Sequence, residues 1–248
     1  VKEEVENEVV GVIDFVTETL AEFGFEDFEV ELSTRPEKYI GTDDDWEAAT
    51  GALRSALEKK GLTFDINEGD GAFYGPKIDI KLKDALGRSW QCATIQCDFA
   101  LPERFELKYV DSQGDEKRPV VLHRVILGSL ERFIGALTEH YGGDFPLWLA
   151  PEQARVIPIT EAQLPYAREV EERLHAAGIR VDTDARNEKM QKKIRDAELA
   201  KVPYMVVVGK REVENGTVSA RSRKDGDLGA IDTGEFLDKI RAECREKA

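Results

Sequence analysis

The sequence predicts two domains of different architecture: an α+β domain with an antiparallel sheet over residues 1–148, then an α/β domain with a mainly parallel sheet over 149–248. Three observations carry this. The segments "LTFDIN", "KIDIKLK" and "RSWQCATIQCDF" follow one another across short turns with few helices between them, as antiparallel strands do. Beyond residue 151 strand-like and helix-like segments alternate regularly, as parallel sheets require. Between the two parts, "YGGDFPLWLAP" (141–151) has the glycine and proline density of a boundary.

Residues 1–23 read as a helix with Val5, Val9, Val10, Ile13, Phe15, Val16 and Leu20 on a broad apolar face and Gly24 as its stop. Neither a cap nor a leader precedes it, so the chain is expected to begin inside a larger protein. A strand is expected at 28–35, then a helix capped by Thr42 or Asp43 that runs to about Lys60 and ends at Gly61. In the strand 77–83, Ile78, Ile80 and Leu82 alternate with polar residues, which predicts burial on one face. A turn at Leu86-Gly87 leads to the strand 88–99. The last helix of this part is expected from about Val125 to His140, with Leu127, Leu130, Ile134 and Leu137 facing the core and Arg132 on the opposite side beside Gly128, Ser129 and Gly135. The second part reads as strand 154–159, helix 161–177, strand 179–183, helix 187–200, strands 203–208 and 217–223, and helix 233–245.

The chain has 248 residues, 41% of them hydrophobic, which is enough to fill two ordinary cores. It has no run of 18 apolar residues and no basic-then-apolar leader, so neither a membrane span nor a secretion signal is legible. Cys92, Cys97 and Cys244 lack CxxC spacing, which favours a reducing, cytoplasmic setting and argues against a zinc ribbon. The net charge of −15 belongs to the first part: residues 1–150 hold 16 Lys and Arg against 31 Asp and Glu, whereas 151–248 hold 19 of each. Within the balanced part, Arg186, Lys189, Lys192, Lys193 and Arg195 fall in ten residues and form either a phosphate-binding patch or a solvated helix face.

Two further stretches carry chemistry. In "DGAFYGPKIDIKL" (70–82), Pro76 fixes φ and Gly75 removes bulk, so the chain can bend close to another backbone and present Tyr74 and Lys77 at a strand entrance. Taken alone, this stretch favours an ordinary turn with a surface lysine. Around Arg132, small residues leave a floor for a flat or anionic ligand, or else a close helix–sheet contact with a solvent-facing arginine.

"GSLERFIG" resembles motif 3 of the class II aminoacyl-tRNA synthetases, and "LSTRPEKYIG", "GAFYGPKIDI", "QCATIQCDF" and "VLHRVILGSLERF", in this order and spacing, resemble the threonyl-tRNA synthetases. The resemblance covers essentially the whole chain. It implies an antiparallel-sheet catalytic domain, incomplete on its amino-terminal side, followed by an anticodon-binding domain. It further implies ATP-dependent activation of threonine, with Mg2+ as companion of the ATP, and transfer to threonine tRNA by a cytoplasmic homodimer. On it, Arg132 is the motif 3 arginine; Gln91, Thr94 and Ser129 meet ATP; Tyr74 and Gln96 face threonine; and Lys77 supplies catalytic positive charge. His123 matches one of three ligands of a zinc ion, while motif 1, motif 2, the zinc cysteine and the other zinc histidine are expected upstream of Val1. These 248 residues alone are therefore expected to be inactive. His140, His175, Cys92 and Cys97 match no ligand position. In the second part, "RNEKMQKKIRDAELAKVPYMVVVG" resembles the helix and strand that meet the anticodon loop, with Asn187, Arg195, Glu212 and Arg221 matching base-contacting positions. Amides, carboxylates and guanidiniums suit base edges, and the neighbouring lysines suit phosphates. A competing reading is a non-catalytic RNA-binding paralogue or regulatory fragment. Retention of Tyr74, Lys77, Gln96, His123 and Arg132 speaks against it.

Overall fold

Helix α1 (Val5–Glu22) buries Val5, Val9, Ile13, Val16 and Leu20, while Val10 is half-buried and Phe15 lies exposed off the stripe. Gly24, at φ 83°, turns the chain out of the helix. Helix α2 (Asp43–Lys59) starts on a capping box in which the Asp45 amide donates to Thr42 Oγ1 at 3.2 Å, and Asp43, Asp44 and Asp45 suit its positive end. Lys59 and Lys60 pair with Glu6 and Asp14 and tie α2 to α1.

Both helices pack against a five-stranded sheet ordered β2 (Asp65–Asn67), β1 (Phe28–Ser33), β3 (Lys77–Lys83), β4 (Ser89–Asp98), β7 (Val121–Val125). Only β1 and β2 are parallel; the other pairings are antiparallel. Because side chains alternate, Val30, Leu32, Ile78, Ile80, Leu82 and Ile95 form one buried face and leave the other polar. Between β4 and β7 lie a short helix α3 (Ala100–Arg104) and a small hairpin of β5 (Tyr109–Val110) and β6 (Glu116–Lys117), neither foreseen in the sequence.

Helix α4 (Leu130–Tyr141) corrects the helix expected from Val125. Val125 ends β7 and residues 126–129 are bent, with Gly128 at φ 62° so close to β4 that a Cβ would lie 2.9 Å from the Cys92 carbonyl oxygen. The expected apolar arc is also corrected. Leu130 and Ile134 are 60% and 59% exposed, whereas Phe133, Ala136 and Leu137 are buried. The arc was anchored on Leu127, which is not helical. The buried stripe turns instead toward Phe133, whose ring packs edge-on against Phe23 at 5.0 Å.

The structure, a computed structural model, describes Val1 and residues 4–247 and divides into two compact units, 1–140 and 141–248. The second unit contains β8 (Ala154–Pro158), α5 (Leu164–Ala176), β9 (Val181–Thr183), α6 (Met190–Leu199), β10 (Tyr204–Val208), α7 (Lys210–Asn215), β11 (Thr217–Ser222), β12 (Gly226–Asp232) and α8 (Thr233–Glu246). Its sheet order is β12-β11-β10-β8-β9. The expected parallel character holds for β9, β8 and β10, and not for the hairpin β11–β12, which extends the sheet with antiparallel pairings. Val156, Val206, Val208 and Val218 pack against α5 and Phe236 of α8, while Ile157, Met205 and Val207 pack against Ala197 of α6 and Val202. Among the described residues, no helix is long and apolar enough to cross a membrane.

Candidate functional site

The polar face of the first sheet gathers most of the residues singled out in the first unit. Strand register aligns Ser33, Lys77, Gln96 and His123 in one row and Glu31, Asp79, Thr94 and Val125 in the next. Gln91 would face away from Thr94 in a regular strand. A bulge opposite Ile80 and Lys81 leaves Cys92 unpaired and brings the Gln91 amide to 2.7 Å from Thr94 Oγ1.

Asp79, which sequence reasoning missed, sits at the centre of this face and is only 2% exposed. Its Oδ1 accepts from Gln91 Nε2 at 2.6 Å and Thr94 Oγ1 at 2.8 Å; its Oδ2 lies 2.9 Å from Lys77 Nζ. Lys77 Nζ also donates to Asp70 at 3.0 Å. Burial alone would lower the pKa of this ammonium, but the two aspartates outweigh it and hold the group above the usual lysine value. A carboxylate between a lysine and a strand reads as ordinary alternation, so the sequence signal for Asp79 was weak.

The Tyr-Gly-Pro-Lys bend leads into β3 against the end of β4. Cys97 N donates to the Pro76 carbonyl at 3.0 Å, and a Cβ on Gly75 would lie 1.7 Å from the Cys97 carbonyl oxygen. This approach sets the Tyr74 hydroxyl 2.7 Å from Gln96 Oε1 and its ring edge-on to His123, 5.9 Å between centroids. Burial, and then the charge of Asp98, push the Tyr74 pKa up, so the phenol stays protonated as a donor.

His123 Nε2 lies 2.8 Å from Oδ2 of the fully buried Asp98, whose Oδ1 accepts from the Ala100 and Leu101 amides at 2.8 and 2.9 Å. A carboxylate holding one ring nitrogen leaves the other for a ligand, the arrangement common to metal-binding histidines. His123 thus fits as one metal ligand, but no group of three or more His, Cys, Asp or Glu among the described residues could hold an ion. Cys92 and Cys97 are buried thiols; burial raises the pKa of both, that of Cys97 to about 12, which keeps them protonated and poor ligands.

Arg132 leaves α4 toward the start of β4: Nη1 donates to the Gln91 carbonyl at 3.1 Å and the guanidinium lies 5.7 Å from the Trp90 ring. Ser129 is engaged at the helix start, its hydroxyl donating to Glu131 at 2.7 Å and accepting from the Arg132 amide at 3.3 Å. The face therefore offers a protonated phenol, an ammonium, a guanidinium, two amides and a carboxylate-held imidazole, which suits an anionic, polar substrate.

In the second unit, Asn187 lines a cleft of about 350 Å³ at the carboxyl ends of the parallel strands, with Thr160, Glu161 and Lys193. Glu212 lies at the same end, its Oε2 accepting from the Gly209 amide at 2.8 Å. Arg195 is exposed on α6, and Arg221 stands on β11 opposite Met205. The basic patch is smaller than its composition suggests. Arg186 is paired with Asp184 and Asp196, and Lys192 with Glu188. Lys193 is 4% exposed, its ammonium donating to the Asp184 and Pro158 carbonyls at 2.9 and 3.3 Å. Lys189 and Arg195 remain without an ion pair among the described residues. Lys193 is a structural residue, so Lys193→Ala is expected to lower stability by about 1–3 kcal/mol in urea denaturation through its orphaned carbonyls. A change below a few tenths would contradict this.

Residues 1–141 match the family tRNA synthetase class II core domain (G, H, P, S and T), and residues 153–243 match the anticodon binding domain. The threonine–tRNA ligase of Caldanaerobacter subterraneus subsp. tengcongensis is 59% identical over 99% of this chain, and that of Citrifermentans bemidjiense 59% identical over 98%. The chain spans 38% of the length of each. A crystal structure of the RNA binding domain of threonyl-tRNA synthetase from Cryptosporidium parvum Iowa II superposes with a TM-score of 0.91 at 42% identity, covering 97% of this chain and 61% of that one. With a family core matched over more than half its residues and an anticodon binding domain after it, the chain belongs to the class II tRNA synthetases of the G, H, P, S and T group, and threonine–tRNA ligases are the relatives it is similar to.

Proposed function

We propose that this chain is the later part of the catalytic domain and the anticodon-binding domain, residues 149–248, of a cytoplasmic, homodimeric threonine–tRNA ligase. The observation that carries this reading is the single polar sheet face that brings Tyr74, Lys77, Gln91, Thr94, Gln96 and His123 together with Arg132 reaching its edge, in a chain similar over nearly its whole length to threonine–tRNA ligases. Arg132 pairs with the ATP phosphates and stacks beside adenine. Gln91 and Thr94, with Ser129 at the margin, line the nucleotide side; Mg2+ enters with the ATP. Tyr74 and Gln96 orient threonine, and Lys77 holds positive charge where the carboxylate and α-phosphate meet. His123, oriented by Asp98, supplies one ligand of a zinc ion whose other ligands come from outside these residues. A zinc ion held there would supply a Lewis acid that favours the polar hydroxyl of threonine over the methyl of valine. Asn187, Arg195, Glu212 and Arg221 read anticodon bases of threonine tRNA.

The test joins these residues to the upstream part of the Caldanaerobacter relative and measures threonine-dependent ATP–pyrophosphate exchange. Exchange with threonine and not valine is expected, with Arg132→Ala reducing it about 10²–10³-fold. A folded chimera that exchanges nothing, or an Arg132→Ala variant with full activity, refutes the reading. The 248 residues alone are expected to be inactive, because one zinc ligand and the motif 3 arginine do not complete the site.

A second expected result concerns Arg221→Ala in the same chimera. A base-edge contact carries sequence information and a phosphate contact does not, so the ratio of affinities for threonine tRNA and an unrelated tRNA should fall by about 1–3 kcal/mol equivalent. Equal losses for both tRNAs in a filter-binding titration would remove Arg221 from the reading role.

A further inference from the structure

At the amino ends of the parallel strands of the second unit, opposite the Asn187 cleft, Trp148, Arg180, Arg241 and Arg245 line another cleft of about 340 Å³. Its place follows from connectivity. Gln153 and Arg180 directly precede β8 and β9, and backbone bonds from Gln153 N to Arg180 O (2.7 Å) and from Tyr204 N to Gln153 O (3.1 Å) draw three strand starts together. Gln153, 2% exposed, forms a satisfied floor: its amide nitrogen donates to the Leu147 carbonyl at 2.9 Å and its oxygen accepts from Arg180 N at 2.9 Å.

Among the described residues, the three arginines above this floor make no ion pair. Arg180 is held by donating Nε to the Ala150 carbonyl at 2.9 Å and Nη2 to the Trp148 carbonyl at 2.8 Å, which leaves Nη1 without a partner among the described residues. Arg241 and Arg245, one turn apart on α8, make no ion pair or hydrogen bond among the described residues. Among the described residues no carboxylate lines the cleft, and Glu243, whose charge is felt at Cys244, lies outside the lining. Elsewhere in this unit Arg155, Arg168, Arg186 and Arg223 each meet one. Burial pushes the Cys244 thiol up in pKa, so it adds no negative charge at the cleft. Lys247 Nζ, 5.5 Å from the Trp148 ring centroid, adds a cation at the rim. Guanidiniums that share one cavity repel one another, and their forked N–H groups match the oxygens of a phosphate. We propose that this cleft is a phosphate-binding site, separate from the anticodon-reading end, that takes the phosphate of a nucleotide or of an RNA backbone with Trp148 as its apolar wall.

The test titrates the intact chain with inorganic phosphate, AMP and a short uridine oligomer, following arginine Nε–H NMR signals and calorimetric heats. Binding that shifts Arg180, Arg241 and Arg245 is expected, weakened at least tenfold by R241E/R245E and unchanged by Lys210→Glu, an exposed charge reversal elsewhere on the unit. R241Q/R245Q with an unaltered melting temperature must show the same loss, which separates binding from folding. Saturation by phosphate and AMP with no effect of the oligomer identifies a free nucleotide site. Arginine shifts driven by the oligomer and competed by phosphate identify an RNA backbone site. No arginine shift with any of the three at millimolar concentration, or binding that survives both double variants, overturns the proposal.

Discussion

Gly75→Ala is expected to destabilise the first unit by more than about 4 kcal/mol, the range in which a single substitution acts through one identifiable clash. The added Cβ would lie 1.7 Å from the Cys97 carbonyl oxygen and 2.9 Å from the Cys97 carbonyl carbon, and both obstacles are main chain in the centre of a sheet. A flexible side chain could swing away; β4 cannot, because it is paired on one side to β3 and on the other to β7. Relief must come from the bend. Moving it strains the bond from Cys97 N to the Pro76 carbonyl and shifts the Tyr74 hydroxyl away from Gln96. Urea denaturation followed by tyrosine fluorescence reads the loss. Stability within about 1 kcal/mol of the parent would show that the bend has room that the geometry denies.

Periodicity made the strongly amphipathic elements legible. The strand expected at 77–83 is β3 itself, and the stops at Gly24 and Gly61 follow from residues at positive φ. What failed did so for physical reasons. The helix expected from Val125 absorbed the end of a strand because "VLHRVIL" fits either period, and only the close approach of Gly128 to Cys92 decides between them. Strand β12, "GDLGAID", is mostly exposed and glycine-rich, so it carries no alternating signal and forms because β11 offers it an edge. Gln91 and Thr94 were legible as site residues only through resemblance, since the bulge that turns them to one face is a product of pairing between β3 and β4. Asp98 escaped for a related reason: nothing in "QCDF" announces a carboxylate that holds a histidine 25 residues away. Composition overstated the basic patch, because Lys193 spends its charge on two buried carbonyls and Arg186 on two aspartates.

Asp79→Ala is expected to lower stability by about 3 kcal/mol and to detach Lys77 from the site. Removing one partner of a buried ion pair costs about 3–5 kcal/mol, and the lower end applies because Lys77 is 15% exposed and keeps Asp70. Gln91 and Thr94 lose their shared acceptor and retain only each other at 2.7 Å. Asparagine should rescue little, since its NH2 group would face either the Lys77 ammonium or the Gln91 amide, both donors. The pH dependence gives a second signature. The folded-state pKa of Lys77 lies above 10.5, so its contribution is fully present below the ordinary lysine value and is lost only as pH rises through the raised one. Without Asp79, burial remains and one of two counter-charges is gone, so the lysine pKa falls and the alkaline loss of stability begins at lower pH. Lysine 13Cε NMR titration of parent and variant reads this directly: an unchanged Lys77 midpoint would mean that Asp70 alone sets its charge and that Asp79 does not hold the ammonium in place.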